Sequence, residues 1–461
     1  MREENGSKEI ENMIVKNKDL TPDRFQTLKK SFLSVTSAIG PAFKRLPSSE
    51  FVCNIMVLSS GQGIAAAISL LAAPILGRLY LPAEYGALAI YMSIASVLAG
   101  IGNWQYAQGI IVESRDNKAE VLLRLCLVTT AITVAVATIL AAGIMLYPNT
   151  SHAWQQVRIW FVMLPISTLL GGVVTAWSAM ANRKKMYRAM AAIQVASVSL
   201  TVAISIAMGV MEYGHVGLMV SYFLGQITTF FAYGYLMYKR RQKKQDIGKS
   251  QLLAMGRKHK GFALFTTPSA FVNIFAMQFP IYVLGLLGAV DVVGFFCRAR
   301  QLMTMPLTLL GGSIAQVFQQ RAAADYAREG TCRSLYKKTF LMLSGVGLVP
   351  VVLLTIWAPD IFELILGSNW RDAGDIARIL APMLLLRLIC NPLSTVFFIT
   401  NSQRESLFLT ISTAFLIITI SLCSYLLDYG TLGIIVSFSI AYSIAYIVFL
   451  VRSYQLSLAH G

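Results

Sequence analysis

From about residue 52 to residue 451 the chain is a succession of apolar runs, each long enough to cross a bilayer, separated by short polar connections. One crossing takes about 20 mostly apolar residues. Hydrocarbon offers no water to pair with backbone groups, so a spanning segment has to be a helix or a strand of a closed barrel. The runs are too long, and too continuously apolar, for the alternating strands of a barrel. Composition agrees: 56% of the 461 residues are hydrophobic and only 13% are charged, where soluble proteins carry about a quarter charged. The expected fold class is an all-α membrane protein with about twelve transmembrane helices. They fall near 52–77, 86–111, 119–143, 159–181, 189–211, 215–238, 262–287, 293–318, 336–357, 377–400, 406–427 and 431–451. The least regular are the second, with Asn103, Gln105 and Gln108, and the tenth, with Arg387.

Lys and Arg are retained on the cytoplasmic side of a membrane, so basic connections set the orientation. They alternate here. Arg115 and Lys118, then Arg183, Lys184, Lys185 and Arg188, then Lys239 to Lys260, Arg321 to Lys338, Arg404 and Arg452 fill every second connection. The others hold only Arg78, Arg158, Arg371 and Arg378. This predicts an N-in/C-in topology, which an even number of crossings also requires. The same distribution explains the net charge of +17 without a nucleic-acid partner, since no single basic stripe interleaves with aromatics.

The expected organisation is a cytoplasmic tail over 1–50, a first six-helix bundle over 51–238, a basic cytoplasmic linker over 239–261, a second six-helix bundle over 262–452 and a tail over 453–461. Within the first tail, Thr21, Pro22 and Asp23 resemble a helix start, and Phe25, Leu28, Phe32, Leu33 and Ile39 follow at helical spacing. That spacing fits an interfacial helix and equally a basic unstructured tail. The bundles share landmarks. Pro74, Glu84 and Gly86 are echoed by Pro280, Asp291 and Gly294, and Trp177 to Asn182 by Phe397 to Asn401, the kind of internal repeat on which transporters are built.

Cys53, Cys126, Cys297, Cys332, Cys390 and Cys423 are scattered singly, and His152, His215, His259 and His460 stand at no ligand spacing. Neither a disulfide framework nor a metal site is expected. The sequence has no GxxxxGK[ST] phosphate loop and no HExxH, so no cofactor is expected and enzymatic activity is not. The longest outer connection is read as about Ala358 to Ile376.

Ionisable groups inside spans are costly and are therefore where function is sought. No carboxylate lies in the middle of a span; Glu113, Asp291 and Asp428 are near ends. The intramembrane charges are positive instead: Arg387 in the tenth span, Arg298 and Arg300 in the eighth. They predict an anionic substrate. Two residues apart on a helix is about 200°, so only one of Arg298 and Arg300 is expected to face a shared cavity while the other snorkels outward. Gln278, Asn273 and Gln62 form a secondary polar set, suited to interhelical hydrogen bonds.

The stretch LLAAPILGRLYLPAEYGALAIYMSIASVLAGI, from Leu70 to Ile101, resembles the first hairpin of the polysaccharide biosynthesis proteins that act as oligosaccharide-lipid flippases. SAFVNIFAMQFPIYVLGLLGAVDVVGFF, MPLTLLGGSIAQVFQQRAA and LAPMLLLRLICNPLS resemble later parts of that family, which shares a superfamily with multidrug exporters and lipid II flippases. The resemblance implies two six-helix bundles around a central cavity, and translocation of polyprenyl-diphosphate-linked oligosaccharide across the bacterial inner membrane for O-antigen, capsule or exopolysaccharide synthesis. Arg78 and Arg387 match its basic positions directly, whereas Arg298 and Arg300 stand for one arginine shifted or duplicated, and Gln105 and Ala107 stand where a basic and an acidic residue are expected. The partners it implies are the sugar lipid, membrane lipids and a polysaccharide polymerase with its chain-length machinery. Two other functions compete: a cation-coupled multidrug exporter, which needs a buried carboxylate, and a membrane polymerase or ligase, which needs a large outer loop.

Overall fold

The computed structural model describes residues 50–113, 115–146, 157–239, 248–400 and 402–458. Among them every regular element is a helix. In chain order these are α1 (Glu50–Leu79), α2 (Pro82–Ile101), α3 (Tyr106–Val112), α4 (Asp116–Leu146), α5 (Leu164–Arg183), α6 (Tyr187–Val210), α7 (Gly214–Lys239), α8 (Lys249–Lys258), α9 (Thr267–Leu286), α10 (Val290–Glu329), α11 (Arg333–Leu366), α12 (Arg371–Leu393), α13 (Val396–Ile399), α14 (Gln403–Leu426) and α15 (Gly430–Leu456). Residues Val57–Gly461 form one compact unit, and of the preceding Met1–Met56 the structure describes only the first turns of α1. The interfacial helix expected within residues 21–39 lies outside the described residues.

Eleven described helices are long and apolar enough to cross a membrane, and each overlaps one expected span. The expected eighth span lies within α10, which is 40 residues long but carries too many polar side chains to join them by composition. Charges that interrupt its apolar character, Arg298 and Arg300, belong to the site described below.

The expected second span is a broken helix. α2 stops at Ile101, Trp104 and Gln105 take positive φ values of 48° and 58°, and α3 starts at Tyr106. Polar side chains cover the backbone freed by the break: Gln105 Nε2 donates to the Gly100 carbonyl at 2.7 Å, and Thr133 Oγ1 to that of Gly102 at 3.0 Å. The tenth span runs unbroken through Pro382 and ends at Leu393, before the separate short α13. The outer connection expected over 358–376 is mostly helical, because α11 continues to Leu366, a 3-10 turn covers Ser368–Trp370 and α12 begins at Arg371.

Helices of the first half pack on one another, α4 on α5 and α6 on α7; so do those of the second, α12 against α10, α11 and α15, and α14 against α15. Between the halves runs α2, lying along α9 and α10. Its N-terminal turn meets that of α10 reciprocally. A Cβ added at Gly86 would stand 1.9 Å from the Val290 carbonyl oxygen, and one at Gly294 would stand 1.9 Å from that of Pro82. Each backbone fits only because its partner has no side chain there. Beside this seam the fully buried Trp370 donates from its indole to the Gly77 carbonyl at 2.7 Å and packs edge-on against Tyr85 and Phe295.

Gly86→Ala and Gly294→Ala therefore each lower the thermal unfolding midpoint in detergent, at a cost of about 1–3 kcal/mol for the forced separation. Gly143→Ala is the control, since nothing lies within 4 Å of its added Cβ. Equal melting of all three proteins would show that the glycine contact does not hold the halves together.

Candidate functional site

Between the two halves, next to the glycine seam, lies a cavity of about 680 Å³. Its floor and walls come from α1, α2, α6 and α7 on one side and α9, α10 and α12 on the other. Arg298, Arg300 and Arg387 all line it, together with Gln278, Gln301 and Thr304. Tyr85, Ser93, Thr201, Ser205, Ser221 and Tyr222 line it from the first half. None of its lining residues is Asp or Glu.

Among the described residues no carboxylate pairs with any of the three guanidinium groups. Arg298 is 5% exposed, lies 4.7 Å over the Tyr85 ring, and reaches the Gln301 Oε1 at 3.3 Å and the Ala73 carbonyl at 3.4 Å. Its Nε is buried with no hydrogen-bond partner among the described residues. Arg300 donates to the Met277 carbonyl at 3.0 Å and to Gln278 Oε1 at 3.1 Å, over the Phe296 ring at 5.0 Å. Gln278 in turn donates to Ser96 Oγ at 3.1 Å, which fixes its amide between α2 and α10. Arg387, partly buried, makes no hydrogen bond with a described residue.

The expectation that only one of Arg298 and Arg300 faces the cavity is corrected here. Both do, because their long side chains reach around α10 from opposite faces toward the same space, Arg298 past α1 and Arg300 past α9. Arg78 lies elsewhere: at the end of α1 it donates to the Leu364 carbonyl at 3.3 Å, near the Trp370 contact. Asn273 and Gln62 are exposed and do not line the cavity. Missed from the sequence were Tyr85 and the hydroxyls of α6 and α7; single Ser, Thr and Tyr residues in apolar helices carry no signal of their own. Beyond α10 and α12 lies an apolar groove of about 250 Å³, with Leu302 and Leu388 facing it next to Gln301 and Arg387.

A family model described as polysaccharide biosynthesis protein matches residues 75–375. The chain belongs to the polysaccharide biosynthesis protein family. It is similar to the succinoglycan biosynthesis transport protein ExoT of Rhizobium meliloti, with 22% identity over 332 residues, 70% of this chain and 63% of that protein. The chain thus matches less than two thirds of that relative's length. Among solved structures, its fold is similar to that of the lipid II flippase MurJ in an inward closed conformation, with a TM-score of 0.67, 11% identity, and coverage of 87% of this chain and 90% of that one. It is also similar to an inward-facing multidrug resistance MATE family transporter of the MOP superfamily, with a TM-score of 0.58, 15% identity, and coverage of 88% and 98%. These likenesses establish the fold: a multi-span membrane protein built like both a flippase and an exporter.

This family member also carries a clip where the basic linker meets its first half. Rather than being wholly irregular, the linker contains the amphipathic α8, whose Met255 is buried against α4 and whose Gly256 carbonyl lies 3.5 Å from the Tyr106 hydroxyl. Glu113, buried after α3, accepts from Lys258 Nζ at 2.5 Å and lies 3.1 Å from His259 Nε2. Arg183 closes the other side, donating to the Ile110 and Glu113 carbonyls and pairing with Asp116 at 2.7 Å. The Lys258 ammonium holds the Glu113 carboxyl down from 4.5 to about 2, against the opposing effect of burial and with help from His259. A depressed carboxylate stabilises the folded state fully above its unfolded value and loses that contribution as pH falls through its folded one. Acidification from pH 4.5 toward 2 therefore loosens α8. Glu113→Gln does so at neutral pH, speeding amide exchange over Lys249–Lys258 about tenfold, as expected for a lost charge-assisted hydrogen bond; the protection of that segment relative to free peptide no longer changes on the same acidification in the variant. Identical exchange in both proteins at neutral pH would show that the carboxylate does not anchor the linker.

Proposed function

We propose that this protein is a flippase for a polyprenyl-diphosphate-linked saccharide, moving the polar head through the central cavity while the isoprenoid chain stays in hydrocarbon, for assembly of a surface polysaccharide. The observation that carries the reading is three arginines and no carboxylate around one cavity. A diphosphate offers only acceptor oxygens at physiological pH, and guanidinium groups offer only donors. The unpartnered Arg298 Nε adds a buried donor that a phosphate oxygen would satisfy. The apolar groove beyond α10 and α12 gives the chain a path next to the charged space.

With N-in/C-in orientation, as the basic connections indicate, the seam at Gly86 and Gly294 is the outer one, and the head enters from the cytoplasmic side. Alternating access then requires this seam to part as the two halves rock. Arg78, outside the cavity and bonded to Leu364, belongs to that outer closure on this reading.

In nanodiscs, Arg387→Ala weakens binding of undecaprenyl diphosphate by about tenfold or more, the loss expected for a charge-assisted hydrogen bond. Arg78→Ala leaves that affinity within about twofold, as a side chain bonded only to backbone outside the site should. In cells depending on this gene, Arg387→Ala and Arg387→Glu at normal protein levels strand sugar lipid on the inner leaflet. Unchanged export in both variants would refute the assignment of Arg387. A native protein that ignores undecaprenyl diphosphate but exports organic cations would refute the flippase reading.

A further inference from the structure

The two walls of the cavity differ in kind, and the difference lies in hydrogen-bond direction as well as charge. The second half of the chain supplies Arg298, Arg300 and Arg387, which only donate. The first half contributes no charged side chain to the lining; its polar groups there are hydroxyls, among them those of Ser69, Ser93, Thr201, Ser205, Ser221 and Tyr222. Most of these have already used their single proton. Ser93 Oγ donates to the Ile90 carbonyl at 2.7 Å, Thr201 Oγ1 to that of Ser197 at 2.9 Å, Ser205 Oγ to Ser221 Oγ at 2.7 Å and Ser221 Oγ to the Leu218 carbonyl at 2.8 Å. What such an oxygen has left to offer is lone pairs. A wall of spent donors repels phosphate oxygens, which are acceptors too, and suits a ligand rich in O–H and N–H donors. The Tyr222 ring stands among these acceptors, while the face of Tyr85 is taken by Arg298, and aromatic faces suit the C–H faces of a pyranose ring.

We infer that the cavity is bipartite: the wall of α2, α6 and α7 is a saccharide subsite, and the wall of α10 and α12 holds the diphosphate of the same molecule. The inference rests on the flippase reading above and adds an orientation to it. The first sugar lies toward Thr201 and Tyr222, the diphosphate toward Arg300 and Arg387, so the head group spans the gap between the two halves. Ser93, Ser205 and Ser221 are buried, whereas Thr201 and Tyr222 are only partly buried, and these two are the residues to which the subsite is assigned.

The test measures binding to the full-length protein in nanodiscs of undecaprenyl diphosphate and of the same lipid carrying glucose, galactose or N-acetylglucosamine. The native protein binds at least one glycosylated lipid about tenfold more tightly than the bare diphosphate, the gain from two or three hydrogen bonds. Thr201→Val and Tyr222→Phe each remove several-fold of that gain and leave the affinity for bare undecaprenyl diphosphate unchanged. Thr201→Ser, which keeps the hydroxyl, retains the gain and shows that its loss in Thr201→Val is not a packing defect. Arg387→Ala weakens all four lipids alike. A native protein that binds the bare diphosphate but gains from none of the three sugars overturns the subsite while the flippase reading stands. So does a Thr201→Val or Tyr222→Phe variant that weakens bare and glycosylated lipids equally. A native protein that binds none of the four lipids takes both down together.

Discussion

Positive charge held inside a membrane protein without a matching acid is the constraint from which the rest of this structure follows. A guanidinium at the bilayer centre costs several kcal/mol unless it is solvated by protein or water. Here the solvation is assembled from carbonyls of α1 and α9, the amide oxygens of Gln278 and Gln301, and the faces of Tyr85 and Phe296. Neutral acceptors stabilise the cations without cancelling their charge, so the field in the cavity stays positive. A carboxylate in place of Gln278 or Gln301 would pair with an arginine and cancel part of that charge.

That requirement shapes the helices around it. α2 gives its length to contacts with α9 and α10, because only a close approach there brings Gln278 and Ser96 together and places Tyr85 beneath Arg298. The approach is bought with two glycines. Pro82 with Gly294, and Val290 with Gly86, form a reciprocal pair in which each half presents the same turn to the other, the geometry expected of repeated units meeting about a pseudo-twofold axis. Carbonyl contacts to glycine Cα atoms are individually weak. Such a seam closes without a lock of its own, and the Trp370 indole donates to the Gly77 carbonyl beside it.

Much of this was legible in the sequence, and the parts that were not share a physical cause. Apolar runs of about 20 residues announce helices because lipid permits little else, so the expected spans fall on the observed helices; the longest, α10, was recognisable despite its arginines. Gly86 and Gly294 were visible as parallel landmarks, but that they meet is a tertiary fact. The break at Trp104 and Gln105 depends on side chains that cap freed carbonyls across helices, which a linear hydropathy pattern does not record. For the site, Arg298, Arg300, Arg387 and Gln278 stood out because ionisable and amide groups are rare in such helices. Helical geometry alone set Arg298 and Arg300 on opposite faces; it missed the reach of an arginine side chain, which exceeds the radius of the helix that carries it. The clip at Glu113 was hidden for a different reason. Its partners Lys258 and His259 looked like two more residues of a basic linker, and only the burial of the carboxylate distinguishes them.

Fold alone leaves function open in this case, since the same arrangement of helices is shared with a lipid II flippase and a multidrug resistance transporter. What separates a cationic cargo from an anionic one is the chemistry of the side chains around the cavity. An exporter of organic cations draws its cargo with a buried carboxylate whose protonation releases it; this cavity has none to titrate. Arginine stays charged across the whole physiological range, so release of an anion from it cannot depend on deprotonation and has to come from geometry. On the flippase reading proposed above, donors that converge on a diphosphate when the halves are closed on one side would lose that convergence when the halves rock and the seam at Gly86 and Gly294 parts. In such a site the weakness of the seam and the permanence of the charge are complementary: the first supplies the motion, and the second makes motion the only way to let go.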